Sequence, residues 1–203
     1  MTVKVCGMRN AENIREVEAL GIDWMGFIFW PKSKRHVSER PAYLPTSCKR
    51  VGVFVDEDIE QVKRTADDYS LDILQLHGAE SPDYVYRLRS VCGDTIALIK
   101  AFNIATAADL ESTKGYEGAA DYFLFDTKAQ VPGGSGQQFD WSVLAGYVGE
   151  TPFLLSGGIS PDDAGRVRDF YHPKCIGIDL NSKFEVAPAL KSIQKLKSFL
   201  KQL

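Results

Sequence analysis

One pattern constrains this chain more than any other. Eight short apolar runs recur along it, most followed by a turn and then by a segment of helical spacing. The runs are Val3–Cys6, Met25–Phe29, Val51–Val55, Ile73–Leu76, Ile96–Ala101, Tyr122–Phe125, Phe153–Leu155 and Cys175–Leu180. They are rich in β-branched and aromatic residues and nearly continuous, as strands covered on both faces are. Asn10 caps a segment carrying Ile14, Val17 and Leu20 and stopped by Gly21, and Asp58 precedes Ile59, Val62, Ala66 and Tyr69. Ser81-Pro82 and Ser160-Pro161 each offer a cap followed by proline at the first helical position, the second opening a face of Ala164, Val167 and Phe170. Asp140 starts a stretch with Trp141, Leu144 and Val148, and Pro188 opens a last helix with Leu190, Ile193, Leu196 and Leu200. Helical signals after the second and fifth runs are weaker, and Pro41 and Pro45 keep the former short. Eight strands alternating with eight helical segments predict an α/β fold, a single-domain (β/α)8 TIM barrel over residues 1–203. A doubly wound open sheet is the rival architecture.

Composition narrows the function classes. Lys+Arg 24 against Asp+Glu 27 leaves a net charge of −3, so the chain has no general pull on nucleic acid or an anionic membrane. It contains no apolar run of about 18 residues, and MTVKVCGMRN lacks the apolar core of a signal peptide. Cys6, Cys48, Cys92 and Cys175 form no CxxC pair and no zinc spacing, which predicts free thiols and a reducing cytoplasm. No HExxH, P-loop or GxGxxG motif is present, so neither a metal nor a nucleotide cofactor is expected.

A barrel carries its chemistry at the C-terminal ends of its strands. There the chain places Cys6-Gly7, the segment Trp30 to His36, Gln75 with His77, Asp126, Ser156-Gly157-Gly158, and Asp179 with Asn181-Ser182. Gly157 and Gly158 precede a helix start, where backbone amides free of Cβ atoms can wrap an anion; they also suit a plain tight turn. Gly133-Gly134-Ser135-Gly136 is a small-residue loop that either covers the site or lies on the surface. Arg35, among Lys32, Lys34 and His36, either belongs to a solvated charge run or grips a carboxylate with its two-pronged fork. Cys6 is a small core residue or a base; a base needs nearby positive charge, which Arg35 is placed to supply. Asp126 is a candidate acid, and His77 competes for either role.

These segments resemble a known family. KVCGM, GFIFWPKSKRHV, VGVFV, LQLHG, FLFDT, GGSGQQFDW, LLSGGISPDD and DLNSKFE stand in the order found in the phosphoribosylanthranilate isomerase family. The resemblance implies a barrel without cofactor, acting on a small phosphosugar as monomer or homodimer. It implies an Amadori rearrangement of N-(5-phosphoribosyl)anthranilate to 1-(2-carboxyphenylamino)-1-deoxyribulose 5-phosphate, in tryptophan biosynthesis. It puts the general base on Cys6, the general acid on Asp126 and the carboxylate-binding arginine on Arg35. Phosphate binding falls on Gly157, Gly158, Asp179, Asn181 and Ser182, with Gln75 and His77 elsewhere in the pocket. The family usually reads NSG-(V or I)-E after the last strand; here Lys183 stands in place of that glycine. A glycine needing positive φ would make Lys183 strained by about 1–2 kcal/mol.

Two rival enzymes and a noncatalytic reading set the contrast. An indole-glycerol-phosphate synthase wants an inward lysine, for which Lys4 and Lys100 are the candidates. A pentose-phosphate epimerase wants several His and Asp ligands, yet the chain has only three His. A phosphosugar-binding barrel stripped of chemistry would have no use for both Cys6 and Asp126.

Overall fold

The computed structural model describes residues 1–127 and 140–203. Among them, eight parallel strands close into a barrel in chain order: β1 Thr2–Val5, β2 Trp24–Ile28, β3 Lys49–Phe54, β4 Ile73–Leu76, β5 Ala97–Ile104, β6 Tyr122–Thr127, β7 Phe153–Ser156 and β8 Cys175–Leu180. β1 pairs with both β2 and β8, which closes the cylinder and rules out the open sheet. Every predicted run is a strand, with ends displaced by a few residues.

Three helices begin where the sequence puts them. Asn10 accepts from the Asn13 amide ahead of α1, Ala11–Glu18, and Gly21 beyond its end has φ +76°. Asp58 accepts from the Glu60 and Gln61 amides at the start of α2, Ile59–Tyr69. Ser81 accepts from the Tyr84 amide at the start of α3, Pro82–Cys92. Each cap is worth about 1 kcal/mol. The buried faces of these helices, Ile14 and Val17, Val62 and Ala66, Val85 and Leu88, join the layer between helices and barrel.

Other connections differ from expectation. Residues 29–48 hold no helix after β2. That stretch is tied instead to Glu18, which accepts from the Tyr43 hydroxyl and the Thr46 and Ser47 amides at 2.5–2.6 Å. After β5, Ala107–Tyr116 is a 3-10 helix; Ser112 and Thr113 hydroxyls donate to carbonyls three residues back, a local bonding that competes with α geometry. After β6, Trp141–Gly146 is a single 3-10 stretch that ends before Val148, which is exposed. Ser160-Pro161 opens the 3-10 turn Pro161–Asp163, which leads into the short α4, Ala164–Asp169.

The largest correction concerns the C-terminal segment. Pro188 opens no helix: it lies in the turn of an antiparallel hairpin of β9, Glu185–Ala187, and β10, Leu190–Lys191, with Ala189 at φ +65°. The last helix, α5, is Ile193–Leu200, capped by Ser192. No described helix is long and apolar enough to cross a membrane.

Candidate active site

Alternation along the strands fixes which side chains face inward. Trp24, Val51, Ile73, Ile99, Leu124 and Leu154 form an apolar plug inside the barrel. Two residues further along, with the same orientation, come Gly26, Val53, Gln75, Ala101, Asp126 and Ser156. Polar groups and a glycine thus enter above the plug. Val53, Gln75, Asp126 and Ser156 line a cavity of about 170 Å³ with Cys6, Ile28, His77, Gly157, Gly158, Ile159, Asp179, Asn181 and Ser182. The barrel brings every predicted site residue except Arg35 to this one cavity. A wider depression of about 710 Å³ at the other end of the barrel contains none of them. Its Arg50 is spent on the Pro45 and Tyr69 carbonyls, which marks that end as structural.

Cys6 follows β1 and is 3% exposed. The strand beside it must be bare: a Cβ on Gly26 would lie 2.6 Å from the Cys6 Sγ. Burial pushes the Cys6 thiol above its ordinary value; the Lys4 ammonium opposes this, the Asp179 carboxylate adds to it, and Lys191 opposes it more weakly. Two lysines thus supply counter-charge to Cys6, and the Arg35 guanidinium, which also interacts with the Cys6 charge, adds to it. Lys4 points inward, fully buried, and donates to Asp179 Oδ1 at 2.8 Å, while the Ser156 hydroxyl reaches Asp179 Oδ2 at 3.3 Å. Asp179 lines the cavity as the counter-ion of Lys4, an arrangement that suits a lysine better than a phosphate oxygen.

Across the cavity, Asp126 Oδ2 lies 3.5 Å from His77 Nε2. Gln75 Nε2 lies 2.8 Å from His77 Nδ1. With the amide donating to Nδ1, the imidazole directs its Nε2–H at Asp126. Gln75 Oε1 is buried without a partner among the described residues and belongs to a side chain that lines the cavity.

At the third side, Gly157 and Gly158 have φ +94° and +70°, the left-handed region that glycine enters without strain. Asn181 and Ser182 lie beside them. Lys183 sits in the 3-10 turn Ser182–Phe184 without a positive φ, so the expected strain is absent. The Gly133 to Gly136 loop lies outside the described residues.

Arg35 stands behind Cys6 rather than in the lining. Its Nε and Nη2 donate to Glu185 at 2.8 and 2.6 Å, filling one edge of its fork. Nη1 and the second Nη2 hydrogen form the other edge. Gly7, at φ +78°, lets Arg35 approach: a Cβ there would meet Arg35 Cδ at 2.6 Å and Asn181 Oδ1 at 2.9 Å.

Sequence reasoning misses Glu185, Lys191 and the pairing of Lys4. An inward charge within a buried apolar strand was itself the signal for Lys4, because such a group needs a partner. Lys191 was hidden by the misread helix. Lys100 faces outward with Leu98 and Phe102, and its Nζ lies 3.0 Å from Glu80 Oε2. With Lys4 committed to Asp179, neither lysine is placed as a synthase reading requires.

The chain as a whole is similar to known proteins. The family described as N-(5'-phosphoribosyl)anthranilate (PRA) isomerase matches residues 3–202. The N-(5'-phosphoribosyl)anthranilate isomerase of Parabacteroides distasonis is 54% identical, covering 100% of this chain and 93% of that protein. The phosphoribosyl anthranilate isomerase structure from Thermotoga maritima superposes with a TM-score of 0.83 at 32% identity, over 100% of this chain and 98% of that one. A phosphoribosyl anthranilate isomerase solved with reduced 1-(o-carboxyphenylamino)-1-deoxyribulose 5-phosphate gives 0.82 at 30%, over 100% and 97%.

Proposed function

The chain belongs to the N-(5'-phosphoribosyl)anthranilate isomerase family, and from that premise we propose how its residues carry the reaction. The activity is isomerisation of N-(5'-phosphoribosyl)anthranilate in tryptophan biosynthesis. Residues 1–203 act as one catalytic unit, in the cytoplasm.

Asp126 is the general acid and Cys6 the general base. Asp126 delivers a proton to the ring oxygen of the ribose as the C1–O bond breaks, and the anilino nitrogen supplies the electron pair of the resulting C1=N iminium. That positive nitrogen acidifies the proton on C2. The Cys6 thiolate removes it, and the electrons of the C2–H bond become the C1=C2 bond of an enolamine. Ketonisation adds a proton at C1 and releases the C2 hydroxyl proton, so the protons taken from and given to the enzyme balance.

The two ends of the substrate are anchored to keep C1 and C2 between base and acid. Amides around Gly157 and Gly158, with Asn181 and Ser182, take the phosphate; Asp179 holds Lys4 rather than the ligand. The free edge of Arg35 takes the anthranilate carboxylate end-on while Glu185 holds the other edge. His77 orients the Asp126 carboxyl, and Gln75 fixes the tautomer of His77.

The observation that supports this reading most is that Cys6 and Asp126, which lie on nonadjacent strands, line one small cavity. A fluorescence assay with freshly made phosphoribosylanthranilate tests it. Wild type turns over, and Cys6→Ala and Asp126→Asn each lose at least ~10²-fold in kcat. Near-wild-type rates in both variants would refute the roles.

A further inference from the structure

The buried and half-buried charges clustered by Cys6 do not balance. Lys4 is matched by Asp179, and Arg35 by Glu185. Lys191 is a third cation, with no exposed side-chain surface, and it shares the Glu185 carboxylate that Arg35 already grips: its Nζ lies 2.6 Å from Glu185 Oε1 and 2.9 Å from Asn181 Oδ1. The set therefore holds three cations and two anions. Its place is built rather than incidental. Asn13 of α1 clamps the Lys191 backbone from both sides, its Oδ1 accepting from the Lys191 amide at 2.7 Å and its Nδ2 donating to the Lys191 carbonyl at 3.0 Å. A buried ammonium that shares its carboxylate with a guanidinium gains from a further anion beside it.

We propose that Lys191 is a positioning residue for Cys6, whose positive charge, set by Glu185 and Asn181, favours the thiolate of Cys6 against its burial. This rests on the reading of Cys6 as base, and it gives a β-hairpin outside the barrel a part in that base's charge state. The charged and titratable groups facing Cys6 are Lys4 and Asp179 from β1 and β8, Arg35 from the loop after β2, Glu185 and Lys191 from β9 and β10, and His77 and Asp126 across the cavity. The lysine is itself responsive: burial draws the Lys191 ammonium below its ordinary value against the pull of Glu185 and of Cys6. Thiolate and ammonium thus sustain each other.

The test is the pH dependence of Cys6 alkylation by iodoacetamide, read by mass spectrometry on the Cys6 peptide so that Cys48, Cys92 and Cys175 do not contribute. It is run on the wild type, Lys191→Gln and Glu185→Gln, beside pH profiles of kcat/KM. Lys191→Gln raises the thiol midpoint by about one unit and slows alkylation about tenfold at neutral pH, whereas Glu185→Gln, which removes an anion, moves the midpoint down. A purely structural role would not give shifts of opposite sign. Midpoints coinciding with wild type, or a change confined to KM, overturn the proposal. If Lys191→Gln does not fold, Glu185→Gln decides alone: a downward shift supports the proposal and an unchanged or raised midpoint overturns it. A shifted thiol whose kcat/KM limb does not follow supports the link between Lys191 and Cys6 while refuting Cys6 as the base.

Discussion

Around Cys6, a buried Lys4–Asp179 pair and a half-buried Arg35–Glu185 pair joined by the buried Lys191 converge from β1, β8, β9, β10 and the loop after β2. Around Asp126, the described residues give one histidine contact at 3.5 Å and a carboxyl that is 23% exposed. The same cavity thus has a wall of interlocked charges and a wall that water reaches. The difference follows from what each group has to do. A buried thiol resists ionisation, so making it a base demands fixed positive charge in a poorly screened place. Asp126 sits at the rim and is aimed by its imidazole contact. Stability and chemistry are therefore fused on the first wall and separable on the second.

Substitutions can break that contrast. The largest effect is expected for Lys4→Met, which leaves Asp179 buried without its ammonium: about 3–5 kcal/mol of stability is lost in chemical denaturation, and activity with it. Activity lost at unchanged stability would show that the charged wall serves catalysis alone. On the other wall, His77→Asn lowers kcat about tenfold in the fluorescence assay and leaves Tm within about a degree of wild type. A fall of many degrees would erase the contrast.

A pH experiment sharpens it further. Burial pushes the Glu185 carboxyl up, but its hydrogen bonds from Arg35 and Lys191 prevail and hold it below the ordinary glutamate range. A carboxyl depressed in the folded state stabilises fully above its unfolded value near pH 4.5, and that contribution is lost as pH falls through the lower folded value. Tm should therefore drop as pH falls below about 4.5. Glu185→Gln should flatten that drop while lowering Tm at neutral pH, and an unchanged acid limb counts against the wall as its source. The smallest effect belongs to neither wall. Lys183→Gly removes an exposed charge beside Ser182 and relieves no strain, so KM rises less than about threefold with kcat unchanged. A large kcat loss would implicate Lys183 in the chemistry.

How legible each part is in the sequence follows from the range over which it is encoded. Strands covered on both faces write themselves as continuous apolar runs, and all eight are found. Closure then brings Cys6, Gln75, His77, Asp126, Gly157 and Asn181 together with no further information, because strand ends share one rim. The segment after β8 defeats periodicity: Leu190, Ile193, Leu196 and Leu200 keep helical spacing across a hairpin, and only Ser192 marks the true start of α5. The connection after β2 is held by Glu18, a distant carboxylate that no local pattern announces. Paired charges are hidden in the same way, since nothing near residue 4 points to residue 179.

The seam between first strand and last also imposes an order in time. Cys6 precedes Asp179, Glu185 and Lys191 by most of the length of the barrel, and the Asn13 clamp bridges the two segments. A chain made from its N-terminus therefore carries this thiol long before the groups that surround it, and the charge environment of the sulfur exists only once the barrel has closed.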